Sequence, residues 1–302
     1  MRDLSQEPLP ALPPRRPESH KGDFGRAMII GGSRGMAGAV AMAGMACLRS
    51  GAGLATLGVP RCIGPVVAGF CPAYMVRELV DDEPGTLYWA NLFDLVPVEH
   101  NYTVWALGPG LGEPDATAEL SGRMNREWTA PLVIDADGLN GVALYEARYA
   151  SAPLTPPGPR VYTPHPGEFA RLAGDDALAE QATGDDDARV AAAAALAARD
   201  EGGNTVVVLK GHRTVVTDGA RFSINATGNP GMATGGSGDV LTGVITALIA
   251  QGLSAFDAAR LGVHLHGLAG DIARERTGAV SLIATDLIDA LPTAFQNPNP
   301  DS

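Results

Sequence analysis

The chain has 302 residues, of which 45% are hydrophobic and 19% are charged, and its formal net charge at pH 7 is −12. This composition is that of a globular protein with an ample core and excludes a largely disordered chain. The acidic balance argues against nucleic acid or an anionic membrane as a partner.

Other classes of protein are excluded by what the sequence lacks. Cys47, Cys62 and Cys71 do not have the spacing of a zinc site and are predicted to be reduced, packed thiols. No apolar run reaches the roughly 18 residues that a membrane span needs, and the N-terminus has no apolar signal core. The sequence therefore predicts a cytoplasmic protein.

The two ends of the chain differ from its centre. Residues 1–21 carry five prolines among charged side chains, which predicts a flexible tail. Residues 297–302 are predicted to be a second tail. Residues 22–296 are predicted to form one domain, because they contain no internal repeat and no sign of a second domain.

Between the tails, short apolar runs alternate with helical patterns. The predicted strands are residues 27–30, 54–59, 102–107, 131–134, 160–163 and 205–209, followed by a hairpin of residues 213–217 and 221–225. The predicted helices are residues 40–49, 114–127 and 185–199, and three more that begin at Ser237, Ser254 and Thr285. This alternation predicts an α/β fold in which a central, mostly parallel sheet has helices on both faces.

Polar or glycine-rich stretches follow several of the predicted strands. They are residues 31–39 (GGSRGMAGA), 108–112 (GPGLG), 135–140 (DADGLN), 163–168 (TPHPGE) and 210–211 (KG). In an open α/β sheet, ligands bind outside the carboxyl ends of the strands. We therefore expect these stretches to line one site. The glycines of residues 108–112, taken alone, equally fit a tight strand-to-helix turn.

A glycine-dense loop, residues 225–239 (NATGNPGMATGGSGD), runs directly into an apolar run with helical spacing. The first amides of a helix have no internal partner and carry partial positive charge, so such an entrance suits a phosphate group. Asp239, in the first turn, could accept a proton from a hydroxyl that attacks phosphorus. The stretch alone equally fits a glycine-rich turn followed by an ordinary first-turn aspartate.

Acidic and histidine side chains at the strand ends have two interpretations each. Asp135 and Asp137 could serve a hydrated Mg²⁺ through their carboxylates, or they could perform turn and capping work. His165, held between two prolines, could contact a ligand or be structural. Glu168 could be an acid of a metal site or an acid at a helix N-terminus.

Lysine is rare in this chain, with only Lys21 and Lys210. Because Lys210 follows a predicted buried strand, it is a candidate for binding a phosphate group, although a surface turn is the alternative. His264 and His266 are two residues apart on a predicted helix, so they face different sides and cannot be a metal pair. Both are predicted to pack in the core or at an interface.

Several common motifs are missing. Neither lysine has a glycine before it, which excludes a Walker loop, and the first glycine stretch does not have the spacing of a dinucleotide dehydrogenase. No Gly-x-Ser-x-Gly elbow occurs either.

Taken in order, these stretches resemble one family, the ADP- or ATP-dependent NAD(P)H-hydrate dehydratases of the ribokinase-like superfamily. The matching stretches span residues 25–295, and the set is more specific than any single member. The GSGD end is shared with ribokinase-like kinases, whereas the HPGE and NPGMATGG runs indicate the dehydratase. Ala37 stands where many relatives have proline, and Ser237 where threonine is common.

The resemblance implies a three-layer ribokinase-like fold and a repair enzyme. Its substrate would be the S epimer of NADH or NADPH hydrate, which is phosphorylated by ADP or ATP and then loses phosphate. Asp239 would be the catalytic base, and Gly236, Ser237 and Gly238 would form an anion hole. The residues implied to contact the hydrate are Ala39, Gly110, His165 and Asp239. The residues implied to hold the nucleotide are Lys210, Gly211, His212, Arg213, Thr214 and Gly238.

Further expectations concern the cofactor and the partners. Mg²⁺ is expected, with Glu168 and Asp135 as candidate ligands. The resemblance implies a homo-oligomer, a tetramer, and epimerisation by a separate protein. The alternative function is that of a ribokinase-like kinase for a vitamin precursor or sugar, which would stop at the phosphate ester. A nucleotide-sensing protein on the same fold is a third reading, against which the intact GSGD end argues.

Overall fold

The computed structural model describes residues 1–149 and 153–298. Its strands are β1 (Arg2–Asp3), β2 (Arg26–Ile30), β3 (Leu54–Pro60), β4 (Met75–Leu79), β5 (Val104–Leu107), β6 (Leu132–Ile134), β7 (Arg160–Tyr162), β8 (Thr205–Leu209), β9 (Val215–Thr217) and β10 (Arg221–Ile224). Its α-helices are α1 (Ala37–Arg49), α2 (Gly64–Phe70), α3 (Leu92–Leu95), α4 (Pro114–Glu127), α5 (Ala136–Tyr149), α6 (Pro166–Ala173), α7 (Asp176–Gln181), α8 (Asp186–Ala197), α9 (Ser237–Ala250), α10 (Ala255–Ser281) and α11 (Ala284–Gln296).

The described strands form one sheet in the order β1-β10-β9-β8-β7-β6-β5-β2-β3-β4. All neighbouring pairs are parallel except those that β9 makes with β8 and with β10. The chain runs outward from β2 to β4 and then returns to place β5 on the other side of β2. The strand order therefore reverses between β2 and β5, which is where ligands bind in open α/β sheets.

The central strands end in register. Ile30 of β2 lies opposite Leu107 of β5, Leu107 lies opposite Ile134 of β6, and Ile134 lies opposite Tyr162 of β7. The next residue of each strand thus leaves the sheet at the same level. This register brings the polar stretches that follow β2, β5, β6 and β7 to one edge, as predicted.

Helices cover both faces of the sheet, so the predicted fold class is confirmed. Successive residues of a strand point to opposite faces, and on β2 Ile29 belongs to one core cluster while Met28 and Ile30 belong to another. The first cluster joins the sheet to α1, α9, α10 and α11, and the second joins it to α4 and α5. A third cluster packs α6 and α8 against β8.

Most of the elements predicted from sequence are found within a few residues of their expected bounds, and α4 and β8 have the bounds that were expected. The elements that were not predicted from the sequence are β1, α2, β4, α3, α5, α6 and α7. Among the described helices, none is both long and apolar enough for a membrane span.

The first residues of the chain pack against the domain, which corrects the expectation of a flexible tail for this part of residues 1–21. β1 pairs with β10, and Leu4 is buried. The guanidinium of Arg260 on α10 donates hydrogen bonds to the carbonyl oxygens of Leu4, Glu7 and Pro8. Of the second predicted tail, residues 299–302 lie outside the described residues.

Candidate functional site

A buried cluster of charges lies at the carboxyl ends of β6, β7 and β8. Nζ of Lys210, directly after β8, lies 2.7 Å from Oδ1 of Asp135, directly after β6, and 3.7 Å from Oε2 of Glu168 on α6. Asp239, in the first turn of α9, interacts electrostatically with all three groups. We refer to Lys210, Asp135, Glu168 and Asp239 as the Lys210 cluster.

The central ion pair of this cluster is charged. Burial opposes both charges, but each partner favours the other, so that the pKa of Asp135 is lowered and that of Lys210 is raised. Thr242 of α9 donates a hydrogen bond to Oδ2 of Asp135 at 2.7 Å and stabilises the same carboxylate. Asp135 thus has a partner for each of its oxygens.

The other two carboxylates of the cluster are shifted in the opposite direction. Burial, together with repulsion from Asp135, raises the pKa of Asp239 to about 7, although Lys210 acts against this. Burial also raises the pKa of Glu168. One ammonium cannot offset three buried carboxylates, so Asp239 can take up and release a proton near neutral pH.

The predicted anion hole lies at the start of α9. Gly236 is the N-cap residue and has a left-handed backbone with φ of 91°. A Cβ at this position would lie 2.4 Å from Cε of Met42 on α1, so only glycine fits here without a shift. A Cβ on Gly238 would lie 3.3 Å from Nζ of Lys210, so the residues predicted to form the anion hole adjoin the Lys210 cluster.

Two of the residues expected to contact the hydrate are neighbours. A Cβ built on Gly110 would lie 3.0 Å from Cβ of Ala39 at the start of α1. The glycine stretch after β2 is tied to that after β5, because the hydroxyl of Ser33 donates to the carbonyl oxygen of Gly110 at 2.9 Å. Asp137 supports the second stretch, since its Oδ2 accepts from the amide of Gly112.

His165 is the N-cap residue of α6. Its Nδ1 accepts from the amides of Gly167 and Glu168, and its Nε2 lies 3.2 Å from Oε1 of Glu168. Half of the side chain is exposed. His165 is thus held by the same glutamate that contacts Lys210, with part of its ring open to a ligand.

The loop after β8, residues 210–214, has one buried and one exposed end. Lys210 points into the cluster, whereas Gly211, His212 and Arg213 are exposed. The buried guanidinium of Arg189 on α8 donates to the carbonyl oxygens of Leu209, His212 and Arg213 and so fixes the course of the loop.

Beside this loop lies a cavity of about 480 Å³. One of its walls is the N-terminal segment, residues 5–9, and the other contains Arg213, residues 223–227 and part of α10. Small-molecule pockets span about 300–1,000 Å³, so the cavity has the size of such a pocket.

The arrangement does not favour Asp135 and Glu168 as direct metal ligands. The ammonium of Lys210 lies between them, and the oxygens of Glu168 contact the amide and the ring of His165. Among the described residues, no group of three or more histidine, cysteine or acidic side chains is arranged to hold a metal ion.

Thr242, Arg189 and His266 support the site, but none of them was predicted from the sequence to have a functional role. Thr242 follows Asp239 by three residues on a helix, a spacing that places both on one face. This spacing is a sequence signal that could have predicted Thr242 as part of the site. His266 was expected only to pack, but its Nε2 lies 2.9 Å from the carbonyl oxygen of Ser237.

Comparisons with known proteins agree with this geometry. Residues 27–293 match the family described as NAD(P)H-hydrate dehydratase. The bifunctional NAD(P)H-hydrate repair enzyme Nnr of Moorella thermoacetica is 42% identical over 288 residues, which are 95% of this chain and 52% of that protein. The chain thus spans about half the length of this curated relative.

Two solved structures resemble the chain along almost its whole length. The ADP/ATP-dependent NAD(P)H-hydrate dehydratase from Bacillus subtilis, co-crystallised with ATP and Mg²⁺, has a TM-score of 0.75 and 29% identity over 95% of this chain and 94% of that chain. A ribokinase-like superfamily protein from Enterococcus faecalis has a TM-score of 0.76 and 29% identity over 95% of this chain and 92% of that chain. The expected ribokinase-like fold is confirmed.

Proposed function

The chain belongs to the NAD(P)H-hydrate dehydratase family, and we propose that it restores NADH or NADPH from the hydrated dinucleotide. The substrate is the S epimer, which carries a hydroxyl on its nicotinamide ring. A nucleotide phosphorylates this hydroxyl, and phosphate is then eliminated. With ADP as the donor, the products are AMP, phosphate and the reduced dinucleotide.

The observation that carries this proposal is the environment of Asp239. The carboxylate lies in the first turn of α9, directly after the anion hole, and burial together with the charge of Asp135 raises its pKa to about 7. A general base works best when its pKa is near the operating pH. Asp239 is therefore suited to take the hydroxyl proton as the oxygen attacks phosphorus.

The bonds change in two steps. In the first, the hydroxyl oxygen bonds to the terminal phosphorus, the bond from phosphorus to the bridging oxygen breaks, and Asp239 holds the hydroxyl proton. In the second, the ring nitrogen supplies the electron pair that expels phosphate, and loss of a ring proton restores the double bond. The amides of Gly236, Ser237 and Gly238 would stabilise charge on the transferred group.

We assign the nucleotide to residues 210–214, Gly238 and the cavity of about 480 Å³ beside them. Gly238 adjoins Lys210, and Arg213 lines the cavity. A nucleotide that reaches from Gly238 to the cavity would have its phosphates at the anion hole and its nucleoside in the cavity. The cavity wall offers apolar side chains for a base and polar ones, such as Asn225 and Thr227, for hydrogen bonds.

Mg²⁺ belongs to this proposal as a companion of the nucleotide phosphates. The Bacillus relative was co-crystallised with ATP and Mg²⁺, and Mg²⁺ in such sites is bound largely by substrate phosphates and water. Because the oxygens of Asp135 and Glu168 are already engaged, we assign them no direct bond to the ion.

The hydrate is assigned to the opposite side of the anion hole. Ala39 and Gly110 are neighbours at the point where the strand order reverses, and Met36 lies beside Gly110. The half-exposed ring of His165 lies on the same edge of the sheet. In this proposal the nicotinamide would lie between the glycine stretches and Asp239.

Assembly into a homo-oligomer remains a proposal. Its support is a set of exposed apolar side chains near the β4 edge of the sheet, namely Val66, Phe70, Met75 and Phe93. Sedimentation velocity would measure the assembly directly, and a monomer at micromolar concentration would contradict it.

The test of the proposed reaction is a time course with hydrated NADH, ADP and Mg²⁺. We expect AMP, phosphate and NADH in equal amounts, measured by mass spectrometry, phosphate release and absorbance. Asp239→Asn serves as the matched control and should give none of them. A lasting phosphorylated dinucleotide, or rapid phosphorylation of a vitamin alcohol without reaction of the hydrate, would contradict the dehydratase assignment and support a kinase.

A further inference from the structure

His266 is a buried histidine that contacts the first turn of α9 from the neighbouring helix α10. Its Nε2 lies 2.9 Å from the carbonyl oxygen of Ser237 and 3.4 Å from the Ser237 hydroxyl. A carbonyl oxygen only accepts hydrogen bonds, so Nε2 must carry a proton. Burial lowers the pKa of His266 to about 4, and the ring is therefore neutral at physiological pH.

The Ser237 carbonyl oxygen that His266 contacts shares a peptide group with one amide of the proposed anion hole. The carbonyl of Ser237 and the amide of Gly238 are two ends of one peptide group, which is planar and trans. Fixing the oxygen therefore fixes the direction of the N–H, which points the opposite way. In the first turn of a helix this N–H has no internal partner and is free for a ligand.

We propose that His266 is a positioning residue for phosphoryl transfer: by holding the Ser237 carbonyl, it aims the Gly238 amide at the transferred phosphoryl group. This inference rests on the proposed function. His266 does not touch the substrate, and its effect passes through a single peptide group. It also orients the residue that follows, since Asp239 is the next residue of the same turn.

Packing alone is the competing account of a buried histidine. Under that account a variant of similar volume would lose stability, but a correctly folded molecule would react at the normal rate. Under the positioning account the rate constant falls even in folded protein, because a misdirected donor stabilises the transition state less. The two accounts therefore differ in kcat at constant fold.

The experiment compares two substitutions at this position. His266→Leu removes the donor, and His266→Gln keeps an N–H donor at the end of a side chain of similar length. For His266→Leu we expect kcat to fall about tenfold to a hundredfold, somewhat less than for complete loss of an anion-hole donor. The KM for the hydrate should stay within about twofold, the KM for the nucleotide should rise by no more than the roughly tenfold loss of phosphate affinity expected below, and His266→Gln should recover most of kcat.

Thr246→Val is the matched control. Thr246 is also buried, lies further along α9, and donates its hydroxyl to a backbone carbonyl, that of Thr242. This variant loses a comparable hydrogen bond without touching the first turn, so its kcat should equal that of the wild type. If Thr246→Val lowers kcat as much as His266→Leu, or if His266→Gln is no better than His266→Leu, the proposal is overturned.

A second readout separates this inference from the proposed function. Inorganic phosphate can be titrated into the protein while the backbone ¹H–¹⁵N signal of Gly238 is followed by NMR. We expect His266→Leu to weaken phosphate binding at this amide about tenfold, in proportion to the loss of an aimed donor. If the wild type does not turn over the hydrate, the proposed function fails, yet this titration still decides the role of His266. Unchanged phosphate affinity in His266→Leu would overturn the positioning role of His266.

Discussion

The ammonium of Lys210 lies 2.7 Å from a carboxylate oxygen of Asp135, although 75 residues separate them in the sequence. Both groups are largely buried, and the pair joins the ends of β6 and β8 across the intervening β7. Each charge of the pair stabilises the other, and both act on Asp239: burial is the main cause that raises the pKa of Asp239, Asp135 raises it further, and Lys210 lowers it.

Replacing one partner of that pair should destabilise the protein strongly. Lys210→Met leaves Asp135 buried without a counter-charge, which typically costs about 3–5 kcal/mol. The double variant Lys210→Met with Asp135→Asn removes both charges and should recover most of this loss. Urea unfolding of the wild type, Lys210→Met, Asp135→Asn and the double variant measures the coupling between the two residues in the free energy of unfolding. Additive effects would show that the two residues act independently.

Asp239→Asn should abolish turnover while preserving the binding of the hydrate. The amide keeps the shape of the carboxylate but cannot accept the proton, and loss of a general base typically lowers the rate about 10²- to 10⁴-fold. Steady-state kinetics and direct titration with NADPH measure the two effects. A rate within a few-fold of wild type would remove Asp239 from the proton transfer.

The pH dependence of stability should reveal the raised pKa of Asp239 in the folded protein. Its pKa is raised from 3.8 to about 7, so between these values the folded protein binds a proton that the unfolded chain has lost. Its contribution to stability is present below pH 4 and is lost as pH rises towards 7, on the order of 4 kcal/mol at most. Asp239→Asn removes this effect, so its melting temperature relative to wild type should rise between pH 4 and pH 8. A constant difference would contradict the raised pKa.

Gly238→Ala should lower activity with little effect on the fold. The new methyl group would lie 3.3 Å from Nζ of Lys210 and 3.6 Å from Oδ2 of Asp135, in the space assigned to a phosphoryl oxygen. We expect kcat/KM for the nucleotide to fall more than about tenfold, since one blocked donor of an anion hole has at least this effect. Calorimetry gives the control, because a collapse of the melting temperature with normal activity in the folded fraction would make the glycine purely structural.

His165→Ala should mainly raise the KM for the hydrate. It removes an N-cap as well as the ring, which typically costs about 0.5–2 kcal/mol of stability. His165→Asn separates the two roles, because asparagine can cap α6 but lacks the imidazole. Equal KM values for His165→Asn and wild type would assign the ring to capping alone, whereas a large fall in kcat at saturating hydrate would assign it to the chemistry.

The sequence was sufficient to predict those elements whose local pattern agrees with their surroundings. Pro at the first turn of α4 and the run of β-branched residues in β8 give unambiguous signals. The same holds for residues 236–239, where glycines and an aspartate mark a helix entrance.

Contacts across the sheet could not be predicted in this way. The partner of Lys210 depends on strand order, and the stretch after β6 reads as a turn, although α5 begins at Ala136. That residue has a φ of 47°, a left-handed conformation that local composition does not indicate for alanine. Likewise, residues 1–21 have the composition of a tail, but long-range bonds from Arg260 and β10 hold the first of them in place.

The two residues of β1 cover one edge of the sheet. The amides of Arg2 and Leu4 donate to carbonyls of Ala220 and Phe222, and the hydroxyl of Ser5 accepts from the amide of Ile224. Without them, β10 would present a row of unpaired backbone groups, which is a template for pairing with another chain. Removal of residues 1–5 would therefore favour edge-to-edge aggregation, so we expect this short segment to protect the solubility of the protein.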